Sequence, residues 1–223
     1  GTLSTIDGTA ITSITGTPTD VVTAFSDLDT NPTSADLTFD AGTATTAQLT
    51  SLHTLANGGD LDGRNITTIT GTAADILTAF SSHLDQDPTG ATITVSGTAT
   101  IEQFSQLDEL TSGTLNASIS DTASNLLTKL NSLSSSQRNS LFGQATNVAI
   151  SSYSGQDLST LSDVGGSTTF ELLVDSTLSI SHAQAAYLNS IDKISVTGNN
   201  VALTMSGESF NPDNSSTHLG SLA

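Results

Sequence analysis

Short stretches that alternate apolar and hydroxyl residues are followed, again and again, by apolar residues at helical spacing. Ile11–Ile14, Leu37–Phe39, Ile66–Ile69, Ile93–Val95 and Ala117–Ile119 each read as a strand with one buried face. Val21, Val22, Phe25 and Leu28 then form a helix stripe, matched by Ile76, Leu77 and Phe80. Leu49, Leu52 and Leu55 form another, as do Phe104, Leu107 and Leu110, then Leu126, Leu127, Leu130 and Leu133. Helix starts are explicit at Thr45-x-x-Gln48, Thr100-x-x-Gln103 and Ser181-x-x-Gln184. In such capping boxes the hydroxyl takes the N3 amide and the Gln reaches back to the N-cap amide. Gly58 and Gly113 fall where a left-handed C-terminal cap is wanted.

The pattern is a repeat. The stretch Ile11–Phe25 recurs as Ile66–Phe80, and both copies continue to Leu-Asp-x-x-Pro, at Leu28–Pro32 and Leu84–Pro88. Gly42-Thr-Ala-Thr recurs as Gly97-Thr-Ala-Thr with the same shift. Aligning Gly16, Gly42, Gly71, Gly97 and Asp121 gives a unit of roughly 27 residues, in the range of stacked repeats. Strand–turn–helix units in constant order predict an α/β solenoid with one parallel sheet and one row of helices. The alternative is a pair of small α+β domains meeting near residues 134–147. Residues 1–133 read as regular repeats, 134–205 as a degenerate continuation and 206–223 as a polar tail. Within the continuation, Ser134-x-x-Gln137 predicts a short helix, and Val148–Ile150 and Phe170–Val174 predict strands. Asp157–Leu161 reads as a weak helix, and Ser181 opens a helix carrying Ala185, Leu188 and Ile191. Ile194–Val196 and Val201–Met205 read as a closing hairpin around Gly198-Asn199-Asn200.

Composition sharpens this picture. Of 223 residues, 38 are Thr and 34 are Ser; hydroxyls on this scale suit many N-caps and exposed strand faces. Four Lys+Arg against 22 Asp+Glu give a net charge of -18, which argues against nucleic acid and anionic membranes as partners. No apolar run approaches the ~18 residues of a bilayer span. Without Cys there are neither disulfides nor thiolate metal sites. The chain opens at Gly1 without a basic-then-apolar leader, so a processed chain, a piece of a longer one, or cargo of a route using a C-terminal signal is expected.

Candidate chemistry is sparse. Gly58-Gly59-Asp60-Leu61-Asp62-Gly63 is the best cation candidate, since Asp60 and Asp62 sit close on a permissive backbone and suit calcium. The stretch lacks the further ligands of an EF-hand loop, so an ordinary turn is the stronger expectation. His53, His83 and His182 lie in or beside predicted helices without metal-ligand spacing, and read as solvated surface histidines. No nucleophile elbow or phosphate loop is present, and a non-enzymatic protein without cofactor is expected. Thr12, Thr15 and Thr17, Thr67, Thr70 and Thr72, and Thr92, Thr94 and Thr98 suggest hydroxyl ladders able to order water or ice. Neighbouring units place Thr at unequal offsets, however, and the central Ser-rich half breaks the ladder, which favours Thr as ordinary cover for exposed strands.

Asp121-Thr-Ala-Ser-Asn-Leu-Leu, with its relative Gly71-Thr-Ala-Ala-Asp-Ile-Leu, resembles the D-T-A-x-N-L repeats of very large bacterial secreted surface proteins, cyanobacterial ones among them. The resemblance covers about residues 11–133 and part of 170–196. It implies a stalk, adhesin shaft or surface layer, extracellular or on the cell surface. Its partners would be other copies of itself, end to end or side by side, or neighbouring repeats of a longer chain. The calcium-binding nonapeptides that accompany such repeats are missing here. A carbohydrate- or ice-binding adhesin module is the alternative function.

Overall fold

Threonine and serine hydroxyls start the helices. Thr17, Thr45, Thr72, Thr122 and Ser134 are extended, and each accepts the N–H of the residue three places on. At Thr45 and Ser134 the Gln reciprocates and the full capping box forms. Inside the helices, Thr23, Thr50, Thr54, Thr78 and Thr128 donate to the carbonyl one turn back, so their hydroxyls are satisfied locally.

A computed structural model describes residues 6–152 and the strands at 171–174, 178–181, 193–196 and 203–206. The first elements are β1 (Ser13–Gly16), α1 (Pro18–Asp27), β2 (Asp36–Phe39), β3 (Thr43–Thr45), α2 (Thr46–Ala56), β4 (Leu61–Asp62) and β5 (Thr68–Gly71). Next come α3 (Ala73–Thr78), which runs into a π-helical turn (Ala79–His83), then β6 (Thr92–Ala99), α4 (Ile101–Leu110) and β7 (Leu115–Thr122). The last are α5 (Ala123–Ser132), α6 (Ser135–Gln144), β8 (Ala145–Ser152), β9 (Glu171–Val174), β10 (Leu178–Ser181), β11 (Lys193–Val196) and β12 (Leu203–Ser206). The protein is α/β, with six α-helices among the described residues and parallel sheets. Contacts gather residues 1–99 with 103–117 into one compact unit, and 100–102 with 118–223 into another.

In the first unit β1 pairs with β2 and β2 with β4, while β3 pairs with β5 and β5 with β6, all in parallel. The single sheet expected from the repeat is therefore split here between two. The reason lies in the register. Ser13 faces Asp36, and Thr43 faces Thr68. These two advances together fall short of the full shift from Ser13 to Thr68, and the shortfall is the stretch from Asp36 to Thr43. The chain pairs backward through β2 and forward partly through β3, so the sheet slides along the strand direction. Glycine alignment missed this: Gly16 faces Phe39 and Gly71 faces Val95, not Gly42 and Gly97. Gly97, at φ +82, lies beyond the part of β6 that pairs with β5.

The apolar alternation holds throughout the unit. Leu37, Phe39, Ile69 and Ile93 point inward at 0% exposure, against Leu49, Leu52, Ile76, Phe104 and Leu107 of the helices, also at 0%. Each such side chain contributes about 1.5–3 kcal/mol by leaving water. Of the two expected glycine caps, the first falls on Asn57 (φ 50), followed by Gly58 (φ 93). Gly113 does not take the left-handed form; a Cβ there would meet the Ala91 and Gly90 carbonyls at 2.5 and 2.6 Å, so it is a site of close backbone approach.

In the second unit, β8 pairs with β9 and β9 with β11 in parallel, and β10 pairs with β12 in parallel. The expected hairpin is thus corrected, because β11 and β12 join different neighbours. Glu171 faces Lys193 and Leu178 faces Leu203, each a step close to the repeat length. Such spacing favours stacking on the equivalent strand over a local turn. Ser181, expected to cap a helix, ends β10. The helix expected after it, the weak helix at 157–161 and the tail from 207 lie outside the described residues.

Candidate functional site

Parallel registry brings hydroxyls into rows. Thr43, Thr68 and Thr92 stand side by side on β3, β5 and β6, and so do Thr45, Thr70 and Thr94. Ala44, Ile69 and Ile93 between them are buried. The result is a two-by-three array with rungs about 4.8 Å apart across strands and about 6.7 Å along them. Of the threonines expected to form ladders, Thr70, Thr92 and Thr94 stand in these rows, whereas Thr15 pairs with Thr38 in the other sheet.

The Asp121 motif has a definite structural use. Asp121 as a residue is 7% exposed. One carboxylate oxygen accepts the Ile101 N–H at 3.0 Å, at the start of α4. The other accepts the Thr122 N–H at 2.8 Å and the Asn125 side-chain amide at 2.7 Å. Thr122 in turn caps α5 through the Asn125 N–H. Asp, Thr and Asn thus staple two helix starts together. A shallow groove of about 440 Å³ opens beside them, lined by Ile101, Glu102, Asp121, Asn125, Thr128 and Lys129, with Lys129 3.5 Å from Glu102.

A second cluster was not visible as a site in the sequence. His53, in the last turn of α2, stacks on His83 with ring centroids 4.9 Å apart and planes at 30°. His83 closes the π-helical turn, in which the Leu84 N–H reaches back to the Ala79 carbonyl. The signal was a one-residue insertion. Phe25-Ser-Asp-Leu28 in the first copy becomes Phe80-Ser-Ser-His-Leu84 in the second. The helix absorbs the extra residue as a π-turn, as such turns commonly arise. The expectation of solvated surface histidines is corrected for His83, which is half-buried and whose Nδ1 is enclosed without a hydrogen-bond partner. Burial, reinforced by the neighbouring His53, holds the His83 pKa below the ordinary imidazole value.

Folding therefore favours neutral His83. Between its depressed value and about 6.5 the unfolded chain binds more protons, so the contribution is present above about pH 6.5 and lost as pH falls below it. Urea midpoints at pH 7.5 and 5.5 are expected to show His83→Gln losing less stability than the parent over that interval. Equal losses would dissociate the effect from His83.

The cation candidates do not converge on a site. Arg64 takes both Asp62 oxygens, through Nε at 2.9 Å and Nη2 at 2.6 Å, and holds the Asp62 carboxyl below the usual carboxylate range. Asp60 is exposed, and its N–H donates to the Asp36 carboxylate at 3.0 Å. Among the described residues no group of three metal-ligating side chains occurs, and no helix is long and apolar enough to cross a membrane. No family model matches the chain, and neither a curated protein nor a solved structure is found similar to it.

Proposed function

We propose that the chain is a non-enzymatic structural module, an α/β solenoid of stacked strand–helix coils serving as a stiff segment of an extracellular bacterial surface protein or self-assembling layer. One observation carries this reading: equivalent positions in the two long copies repeat the same local structure and the same partners. Thr17 and Thr72 cap their helices on Asp20 and Asp75. Gly8 and Gly63 donate to the carbonyls of Thr30 and Gln86. The Ile6 and Leu61 amides donate to the carboxylates of Asp29 and Asp85. Units that bury their faces mainly on neighbours form a quasi-one-dimensional stack. The surface location rests on the D-T-A-x-N-L resemblance, and homotypic partners suit a repeat of this kind.

The test is a duplication. Inserting an extra copy of residues 6–60 between Asp60 and Leu61 should preserve far-UV circular dichroism per residue and raise the urea m-value with the added buried surface. Loss of helical signal on insertion argues for a closed fold instead.

The threonine array supports a second reading, as a surface that orders water or ice. Thermal hysteresis that vanishes in a Thr43→Lys, Thr68→Lys, Thr92→Lys variant of unchanged stability would establish it; its absence from the parent chain would remove it.

A further inference from the structure

The sequence holds one Asp–Pro bond, Asp87–Pro88, where the first copy has Asn31–Pro32. The two places also match in structure, because the residues just before them, Gln86 and Thr30, accept the Gly63 and Gly8 N–H groups through their carbonyls. Such a bond is chemically distinct. An Asp carboxyl stands one methylene from the chain, so its attack on the residue's own main-chain carbonyl closes a five-membered ring. Proline makes the amide tertiary and brings no N–H, and its nitrogen is a more basic leaving group. The Asn of the first copy has no carboxyl with which to attack.

The fold prepares this bond. The Thr89 N–H donates to the Asp87 carbonyl at 3.1 Å, to the oxygen on which negative charge gathers when that carbonyl is attacked. Both sides of the bond are anchored. The Gln86 carbonyl takes the Gly63 N–H at 2.8 Å, Pro88 is buried, and the Thr89 carbonyl takes the Ser112 N–H at 2.7 Å and its hydroxyl at 3.0 Å. The reacting groups are thus held in place rather than left to diffuse. Asp87 is exposed, yet the surrounding chain desolvates its carboxyl enough to raise it above the ordinary carboxylate value. The charged groups nearby are already engaged: Asp85 by the Leu61 N–H at 2.8 Å, and Asp62 by Arg64. The adjoining loop over residues 111–114 carries no charge.

We propose that Asp87–Pro88 is a self-cleavage site, at which the Asp87 carboxyl cuts its own peptide bond. The carboxyl oxygen adds to the Asp87 carbonyl carbon. The bond from that carbon to the Pro88 nitrogen then breaks, and the nitrogen leaves with the proton of the carboxyl. The cyclic anhydride so formed is opened by one water, which leaves residue 87 with two carboxyls and Pro88 with a free amine. Water is the only co-reactant. The neutral carboxyl is the reacting form, so the rate rises as pH falls. Scission does not release the pieces, because β5 on one side of the cut pairs with β6 on the other, from Thr68 with Thr92 to Gly71 with Val95. The product is a nicked chain that keeps its fold.

Intact-mass measurement after denaturation tests this on the parent and Asp87→Asn, each incubated at about pH 5 and about pH 7.5, folded and in concentrated urea. The folded parent should yield two fragments, one ending at Asp87 and one beginning at Pro88. Their rate of appearance should be independent of protein concentration, higher at the lower pH, and at least about tenfold above that of the urea-unfolded chain, as a positioned carbonyl donor implies. Gel filtration without denaturant should still show the size of the uncut molecule, and Asp87→Asn should stay whole at this bond. A folded parent left uncut, or cut no faster than the unfolded chain, overturns the proposal, since any lability would then belong to the dipeptide and not to the fold. Scission that persists at this bond in Asp87→Asn, or that slows on dilution, overturns it as well.

Discussion

Ile69→Ala is expected to lower the unfolding free energy by about 2–5 kcal/mol, and Ile14→Ala by less than half as much. The two residues occupy the same place in the two copies, on strands of the same register. Ile69 is fully enclosed, with β3 on one side and β6 on the other. Ile14 is half-buried and has a strand neighbour only at β2 among the described residues. A methylene already in water returns little on removal, whereas an enclosed one leaves a cavity. Urea unfolding of both variants gives the comparison. Equal losses would mean that each unit makes its own core and that its neighbours contribute nothing.

Asp121→Ala is expected to cost about 1–3 kcal/mol, because it strands the buried Ile101 N–H and takes the acceptor from the part-buried Thr122 N–H and Asn125 amide bonds. Asp121→Asn keeps the shape but only one acceptor oxygen, so an intermediate loss is expected. Hydrogen exchange at Ile101 separates this role from general destabilisation. The amide should exchange faster in Asp121→Ala than in a control variant of equal stability, and no difference there would argue against the staple. The equivalent position in the preceding copy shows the same spot solved differently. A Cβ at Gly71 would fall on the Thr46 side chain, so there the hydroxyl residue of α2 fills the space and glycine makes room.

Local features were readable from the residues alone. The alternating runs of the regular repeats overlap β1, β2, β5, β6 and β7, and of the hydroxyls expected as caps Thr45 and Ser134 cap their helices, while Ser181 ends a strand. Both signals are short-range: a period of two, and a hydroxyl placed just before the amide it caps. What escaped was lateral. Gly97 matches Gly42 in sequence, yet β6 meets β5 earlier, at Val95. Pairing of β11 with β9 and β12 with β10, rather than with each other, depends on which neighbour is already stacked. Threonine ladders were legible as a possibility, but which threonines share a row follows from register. His53 and His83 meet across two separate helical segments, where no period within either one reports the contact. The inserted residue before Leu84 was the available clue.

That insertion also says how such a chain can change over generations. One added residue in a strand would turn its following side chains to the wrong face. Here the extra residue is taken up in the last turn of a helix, between Ala79 and Leu84, and Leu84 remains 8% exposed. The helix ends thus act as expansion joints, letting individual copies lengthen by gene insertion while the strand ladder keeps its alignment.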